Sequence, residues 1–321
     1  MPALALTDHL WLSGAVEFYE ACRASQVKPI LGLEVMVEPP PGSFGPTSFA
    51  GRLALLALDL GGWASLCRLS SAVLGRQPAP LPFSILAQNT EGLLCLSGGR
   101  GGLAARLYRD GRQADALAFA SALQNLFPDR LYVELQRHSP QDQTWVTGLS
   151  SLAASRGLPV VATHDLYYLQ PDQAEQQRLV TAIRLNCRLN EVPAEELAPP
   201  GAHFIEAAEM AQRFADLPEA LGATQEIADR CRLELPTAIP HYPQMPLPAG
   251  MTPDALLQQK ARDGALRLYG EITEEVENRL SHELRAIESY GYASIFLIME
   301  EIVQFARENG VPMSSRGSAA S

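Results

Sequence analysis

Lysine is almost missing from this chain. Of its 25 basic side chains only Lys28 and Lys260 are lysine, and 36 acidic residues leave a formal net charge of −11. An acidic surface of this size excludes a protein that coats nucleic acid without regard to sequence, because that affinity comes from clustered Lys and Arg neutralising phosphates. It leaves room for an enzyme that meets nucleic acid through one local patch. No apolar run approaches the ~18 residues that a membrane span needs. The opening MPALALTDHL also lacks the basic lead and long apolar stretch of a secretory signal. The five cysteines (Cys22, Cys67, Cys95, Cys187 and Cys231) are scattered, odd in number and in no CxxC pair. They read as reduced, mostly buried thiols rather than a disulfide framework or a zinc site. Internal repeats and low-complexity tracts are missing too. The expectation is a cytoplasmic chain with no membrane partner.

What is present is material for a core. The 321 residues are 47% apolar and 19% charged, too apolar for disorder, and at roughly 150 residues per domain they suggest about two domains. Short apolar runs predict strands at residues 3–6, 29–37, 53–58, 93–96, 131–135 and 159–162. Between them lie helical stripes, such as Ala15, Val16, Phe18, Tyr19 and Cys22, and the segments 62–74, 112–127 and 143–155. This alternation implies βαβ units, a mostly parallel sheet and right-handed crossovers. From residue 171 strands give way to helices at 171–187, 206–217 and 218–230. Six prolines in the 18 residues from Pro236 to Pro253 form neither helix nor central strand and read as an extended connector holding the domain boundary. Helical patterns resume at 253–269, 273–290 and 292–309. The first residues already read as buried strand, and SSRGSAAS stops in a loop that should feed a helix, so the chain reads as a fragment of a longer protein.

Working groups in parallel α/β folds sit where strands end. Asp8 and His9 follow the first strand, Glu34 lies in LGLEVMV, His138 closes LYVELQRH, and His164 and Asp165 close PVVATHD. If these groups converge on one barrel mouth they make a divalent-metal site suited to phosphoester chemistry. The plainer alternative makes Asp8 and Asp165 caps and the histidines ordinary loop residues. Arg100, Arg106, Arg109 and Arg112, with Asp110 among them, read as an exposed helix face before a nucleic-acid contact. Glu300 and Glu301 point to different faces of a helix and make no catalytic pair. TEEVE at 273–277 reads as a capped, acidic first turn.

The segment ALALTDHLWLSGAVEFYEACRASQVKPILGLEV resembles the polymerase-and-histidinol-phosphatase (PHP) domain that opens bacterial C-family DNA polymerases, the alpha subunits of DNA polymerase III. LYVELQRH, LPVVATHDLYYL and FADLPEALGATQEIADRC fit the same domain in order. ELRAIESYGYASIFLIMEEIVQFARENGVPMSSRGSAAS resembles the start of that family's palm. The resemblance implies an α/β fold: an incomplete PHP-type (β/α)7 barrel over residues 1–235 that lacks its first strand and helix. A connector at 236–253 and the beginning of a polymerase palm at 254–321 follow. Asp8, Glu34, His138 and Asp165 match positions of the barrel's metal cluster. Two departures stand out: Arg52 occupies a place where metal-binding members carry His, and Tyr167 replaces the His of the Asp-x-His ending. A guanidinium cannot ligate metal and brings a fixed charge able to neutralise the carboxylates directly, and a phenol must lose a proton of pKa ~10 to serve well. A weakened or dead metal site, and no proofreading nuclease, follow as expectations.

In the closing SSRGSAAS, glycine permits close approach, consecutive N–H groups make an anion-binding concavity, and arginine supplies a bidentate clamp. By resemblance Arg316, Gly317 and Ser318 bind the incoming nucleotide, with Ser315 where the family usually has Gly. The catalytic aspartates that hold Mg²⁺ lie beyond this motif, so no catalytic residue is expected here. The implied activity is primer extension with dNTPs on primer-template DNA, in replication or damage-tolerant synthesis, alongside other polymerase subunits. The spacing from VPM into SSRGSAAS, LVTAIRLNCRLNE and Tyr167 lean toward the error-prone branch. The alternatives are a free-standing PHP metal-dependent phosphoesterase and a non-catalytic scaffold.

Overall fold

The computed structural model describes residues 1–42, 50–75, 80–237 and 240–314. The chain divides into two compact units, Met1–Leu235 and Pro236–Ser321. The first runs β1 (Ala3–Leu6), α1 (Ala15–Ala24), β2 (Lys28–Val37), β3 (Gly51–Ala57), α2 (Leu60–Leu74), α3 (Phe83–Ala87), β4 (Leu93–Leu96), α4 (Leu103–Arg109) and α5 (Gln113–Leu126). It continues with β5 (Leu131–Gln136), α6 (Gln143–Ala154), β6 (Val160–Thr163), α7 (Ala174–Leu185), α8 (Ala207–Arg213) and α9 (Pro218–Arg230). The strands form one sheet in sequence order, β1 to β6, curled into a half-barrel whose edges are β1 and β6.

The sheet is not the mostly parallel one that the alternation implied. β3 runs antiparallel to both β2 and β4, while β1–β2, β4–β5 and β5–β6 are parallel. A parallel neighbour needs a long crossover. No helix intervenes between β2 and β3 among the described residues, and the two strands pair antiparallel.

Strand periodicity sorts the core into two faces. Leu31, Leu33, Val35, Leu53, Leu55, Leu93, Cys95, Leu131, Val133, Leu135 and Val160 face the outer helices α1, α2, α4, α5 and α6. Ile30, Ala54, Leu56, Leu94, Leu96, Tyr132 and Val161 face the concave side, where Ala223, Ile227 and Ala228 of α9 join them. Burying each of these leucines contributes about 2 kcal/mol. Lys28 Nζ donates to Ala228 O, Arg230 Nη1 donates to the Tyr132 hydroxyl at 2.8 Å, and Arg232 N donates to Leu58 O at 2.7 Å. These bonds fix α9 as a floor at the end of the sheet where β2 and β5 begin, leaving the opposite end as an open mouth.

The second unit contains α10 (Pro253–Tyr269), α11 (Glu274–Ser289) and α12 (Ala293–Glu308). Thr252 and Thr273 cap α10 and α11 by accepting from Ala255 N at 3.2 Å and Val276 N at 3.4 Å. Lys260 pairs with Glu300 at 2.8 Å across α10 and α12, and Arg262 pairs with Glu277. Ala265, Ala293, Leu297 and Ala306 are buried, whereas Phe296, Met299, Ile302 and Phe305 lie exposed along α12. Pro253 opens α10, and the described residues of the proline-rich stretch before it carry no helix or strand.

Candidate functional site

At the mouth the inward positions turn from apolar to polar. On β2, Glu34 follows Ile30 on the inward face and pairs with Ala54; Arg52, two residues before Ala54 on β3, shares that face. On β5 and its neighbour the same parity presents Glu134, Gln136 and Thr163, and Asp165 and Tyr167 follow just past β6. With Asp8 and His9 these side chains line a cavity of about 760 Å³.

Glu34 is the hub. Its Oε1 lies 2.9 Å from His9 Nδ1 and 3.7 Å from Arg52 Nε. Arg52 Nη1 donates to the Tyr167 hydroxyl at 3.4 Å, and the Asp165 carboxylate acts on both groups through its charge. Burial opposes the Arg52 charge, but Glu34, Tyr167 and Asp165 outweigh it and hold its pKa above the ordinary value. Burial pushes the Asp165 carboxyl up to about 6, with Glu34 adding to the rise and Arg52 and Tyr167 opposing it. Burial and Asp165 push the Tyr167 phenol up to about 12. The phenol is thus a neutral donor at any ordinary pH.

Behind this chain lies Glu134, which sequence reasoning passed over. It is 6% exposed, and burial, helped by Asp165 and Glu34, pushes its carboxyl up to about 7 against hydrogen bonds from Thr163 and the Gly98 backbone. The signal was available: residues 132, 134 and 136 of LYVELQ share the inward face of a strand.

The structure brings Asp8, Glu34, Asp165, Arg52 and Tyr167 to the mouth and leaves His138 out of it. β5 ends at Gln136, and the chain turns into a capping box at Ser139–Asp142 that draws His138 N onto Asp142 Oδ2 at 3.0 Å. The His138 ring instead packs 4.9 Å from that of His164, whose Nε2 bonds His203 O at 2.8 Å. Burial and His164 lower the His138 pKa to about 4, so its ring is neutral at ordinary pH. Asp8 does not cap α1, whose N-cap is Gly14. The arginines near α4 are spent inside the fold. Arg106 donates to Ala50 O, Arg109 to Arg100 O and Arg112 to Asp115, while Arg100 pairs with Asp142 at 3.6 Å. Arg316, Gly317 and Ser318 lie outside the described residues.

A parallel-edged half-barrel with carboxylates gathered at one mouth is the frame of a PHP domain, and residues 1–138 match the PHP domain family. Residues 255–321 match the bacterial DNA polymerase III alpha NTPase domain. Over its full length the chain is 36% identical to the error-prone DNA polymerase of Symbiobacterium thermophilum. It is 34% identical to DNA polymerase III subunit alpha of Caulobacter vibrioides and 32% to that of Escherichia coli K12. The chain spans 30%, 29% and 28% of those proteins. Over its full length the chain is similar to bacterial DNA polymerase III alpha subunits and error-prone DNA polymerases, and it carries a PHP domain match followed by a polymerase III alpha match.

PHP domains are metal-dependent, and DNA polymerases use divalent metal. The mouth residues described here do not fit a PHP metal cluster. Glu34 already accepts from His9 and faces a guanidinium, Tyr167 is a protonated phenol, and no three His, Cys, Asp or Glu side chains among the described residues are grouped to hold an ion. What the arrangement does chemically is compensate charge: one fixed cation lies between carboxylates. No helix among the described residues is long and apolar enough to cross a membrane.

Proposed function

We propose that the chain is the N-terminal part of a DNA-directed DNA polymerase alpha subunit that extends primers with deoxynucleotides, in replication or damage-tolerant synthesis. The observation that carries this reading is the match of residues 255–321 to the polymerase III alpha domain in the same chain as a PHP domain. A free-standing phosphoesterase has no use for that second segment. Residues 1–235 form the PHP domain, 236–253 a connector and 254–321 the start of the palm. The half-barrel serves as a structural platform, a reading supported by the Arg52 guanidinium set among the carboxylates of its mouth.

Arg316, Gly317 and Ser318 bind the triphosphate of the incoming nucleotide, Arg316 as a bidentate clamp on phosphate oxygens. Mg²⁺ is the divalent ion of nucleotidyl transfer in the whole protein, held by carboxylates outside this chain. Primer-template DNA and dNTPs are the substrates, other replication or repair subunits the partners, and the cytoplasm the compartment. The 36% identity to an error-prone polymerase supports the error-prone branch. The test is single-nucleotide incorporation by the full-length polymerase carrying Arg316→Ala. A raised nucleotide KM or a lowered kcat supports the assignment, and kinetics equal to the parent enzyme refute it.

A further inference from the structure

Four carboxylates, those of Asp8, Glu34, Glu134 and Asp165, line the mouth of the half-barrel, and the one arginine among the residues that line it is Arg52. Arg52 reaches both arms of the cluster: Nε faces Glu34 at 3.7 Å, and Nη1 donates to the Tyr167 hydroxyl at 3.4 Å, where the Asp165 charge also acts on it. The adjoining loop is shaped to its stem. A Cβ on Gly101 would stand 2.7 Å from Arg52 Cδ and 3.1 Å from Nε, and a Cβ on Gly98, at φ +87°, would stand 1.9 Å from the Arg52 carbonyl oxygen. A parallel bridge between Arg52 and Gly102 holds the loop against the start of β3. The guanidinium is therefore built in by two segments far apart in sequence, rather than hanging in open solvent.

We infer that Arg52 is the resident counter-ion of the barrel mouth: its guanidinium holds Glu34 and the Tyr167–Asp165 pair together in place of a metal, and keeps divalent cations off them. A guanidinium does this where lysine or histidine would not do it as well. It stays charged at every accessible pH, its planar donors satisfy two acceptors at once, and a divalent ion on Glu34 would sit within a few ångströms of that fixed charge. The inference goes beyond the polymerase reading and does not rest on it, because every residue it uses lies in the half-barrel.

The experiment is metal analysis and thermal denaturation of the full-length protein, as prepared, with EDTA, and with added Mn²⁺ or Zn²⁺. Parent protein is expected to carry no stoichiometric tightly held metal at the mouth and to melt at the same temperature with and without chelator. Arg52→Met should melt several degrees lower and recover with Mn²⁺ or Zn²⁺, because the freed carboxylates then take an external cation. Arg52→Lys, which keeps the charge, should fall between the two and show a smaller metal response. A parent protein whose melting falls on chelation overturns the inference. So does an Arg52→Met variant as stable as the parent, or an Arg52→Lys variant as damaged and as metal-responsive as Arg52→Met.

Discussion

Thr163 Oγ1 stands 2.6 Å from Glu134 Oε1 and ties the inward faces of β5 and β6 together just below the mouth. Gln136 Nε2 reaches both side chains, at 3.3 Å each, and the Glu134 amide donates to Ser97 Oγ at 3.0 Å. The carboxylate is thus supplied with neutral donors, while the nearest arginine of the mouth is engaged with Glu34 and Tyr167. Buried charge without a countercharge is relieved by proton uptake, which accounts for its direction of titration.

The pH dependence follows from the sign of that shift. Glu134 titrates at about 7 in the folded chain and at ~4.3 when unfolded, so between those values the folded state binds the extra proton. Its contribution is fully present below the unfolded value and is lost as pH rises through about 7. Asp165, raised to about 6, acts with the same sign, whereas His138, lowered to about 4, acts with the opposite one. Glu134→Gln removes one of these terms while keeping an acceptor for Thr163. Urea denaturation at pH 5 and pH 8 should show the variant gaining on the parent by roughly 2–3 kcal/mol as pH rises. An equal difference at the two pH values would mean that the native carboxyl is already ionised at pH 5.

The glycine loop beneath Arg52 gives a graded test. At Gly98 an added Cβ meets backbone, the Arg52 carbonyl at 1.9 Å, and the φ of +87° is itself unfavourable for a side chain. At Gly101 the obstacle is the Arg52 side chain, which can yield. Gly98→Ala is therefore expected to cost about 2–4 kcal/mol and Gly101→Ala about 1 kcal/mol, read by chemical denaturation of each variant. A Gly98→Ala penalty no larger than that of Gly101→Ala would show that the loop can part from β3 freely.

How far the sequence could be read depends on what each pattern encodes. Apolar runs located β2 to within one residue and located 218–230 and 253–269 as the helices α9 and α10, because length and period are local properties. Direction is not local: the alternation implied a mostly parallel sheet, whereas β3 runs antiparallel to both of its neighbours. Residues 171–173 form a 3₁₀ turn ahead of α7 rather than its first turn. At the mouth, residue type pointed to Asp8, Glu34, Arg52, Asp165 and Tyr167, but type alone could not separate His138, past the end of β5, from inward-facing Glu134. Nor could it show that Glu34 and Arg52 lie on the same face of paired strands. That relationship exists only in the register, Glu34 opposite Ala54 and Met36 opposite Arg52.

The placement of α9 on the concave face makes Ile227 a stringent probe of the half-barrel. Its side chain is 5% exposed and packs in one cluster with Ile30, Leu56, Leu94, Leu96 and Val161, so three strands besides β2 depend on it for closure of their inner face. Truncation to alanine leaves a cavity that Lys28 and Arg230, bonded to the helix end and to Tyr132, cannot swing in to fill. Ile227→Ala should cost about 2–4 kcal/mol. Leu179→Ala, on α7 where the side chain is 52% exposed, should stay within about 0.5 kcal/mol. Denaturation of the two variants side by side decides the matter: a small loss at Ile227 would place α9 outside the sheet, and the floor of the barrel would have to be built from other residues.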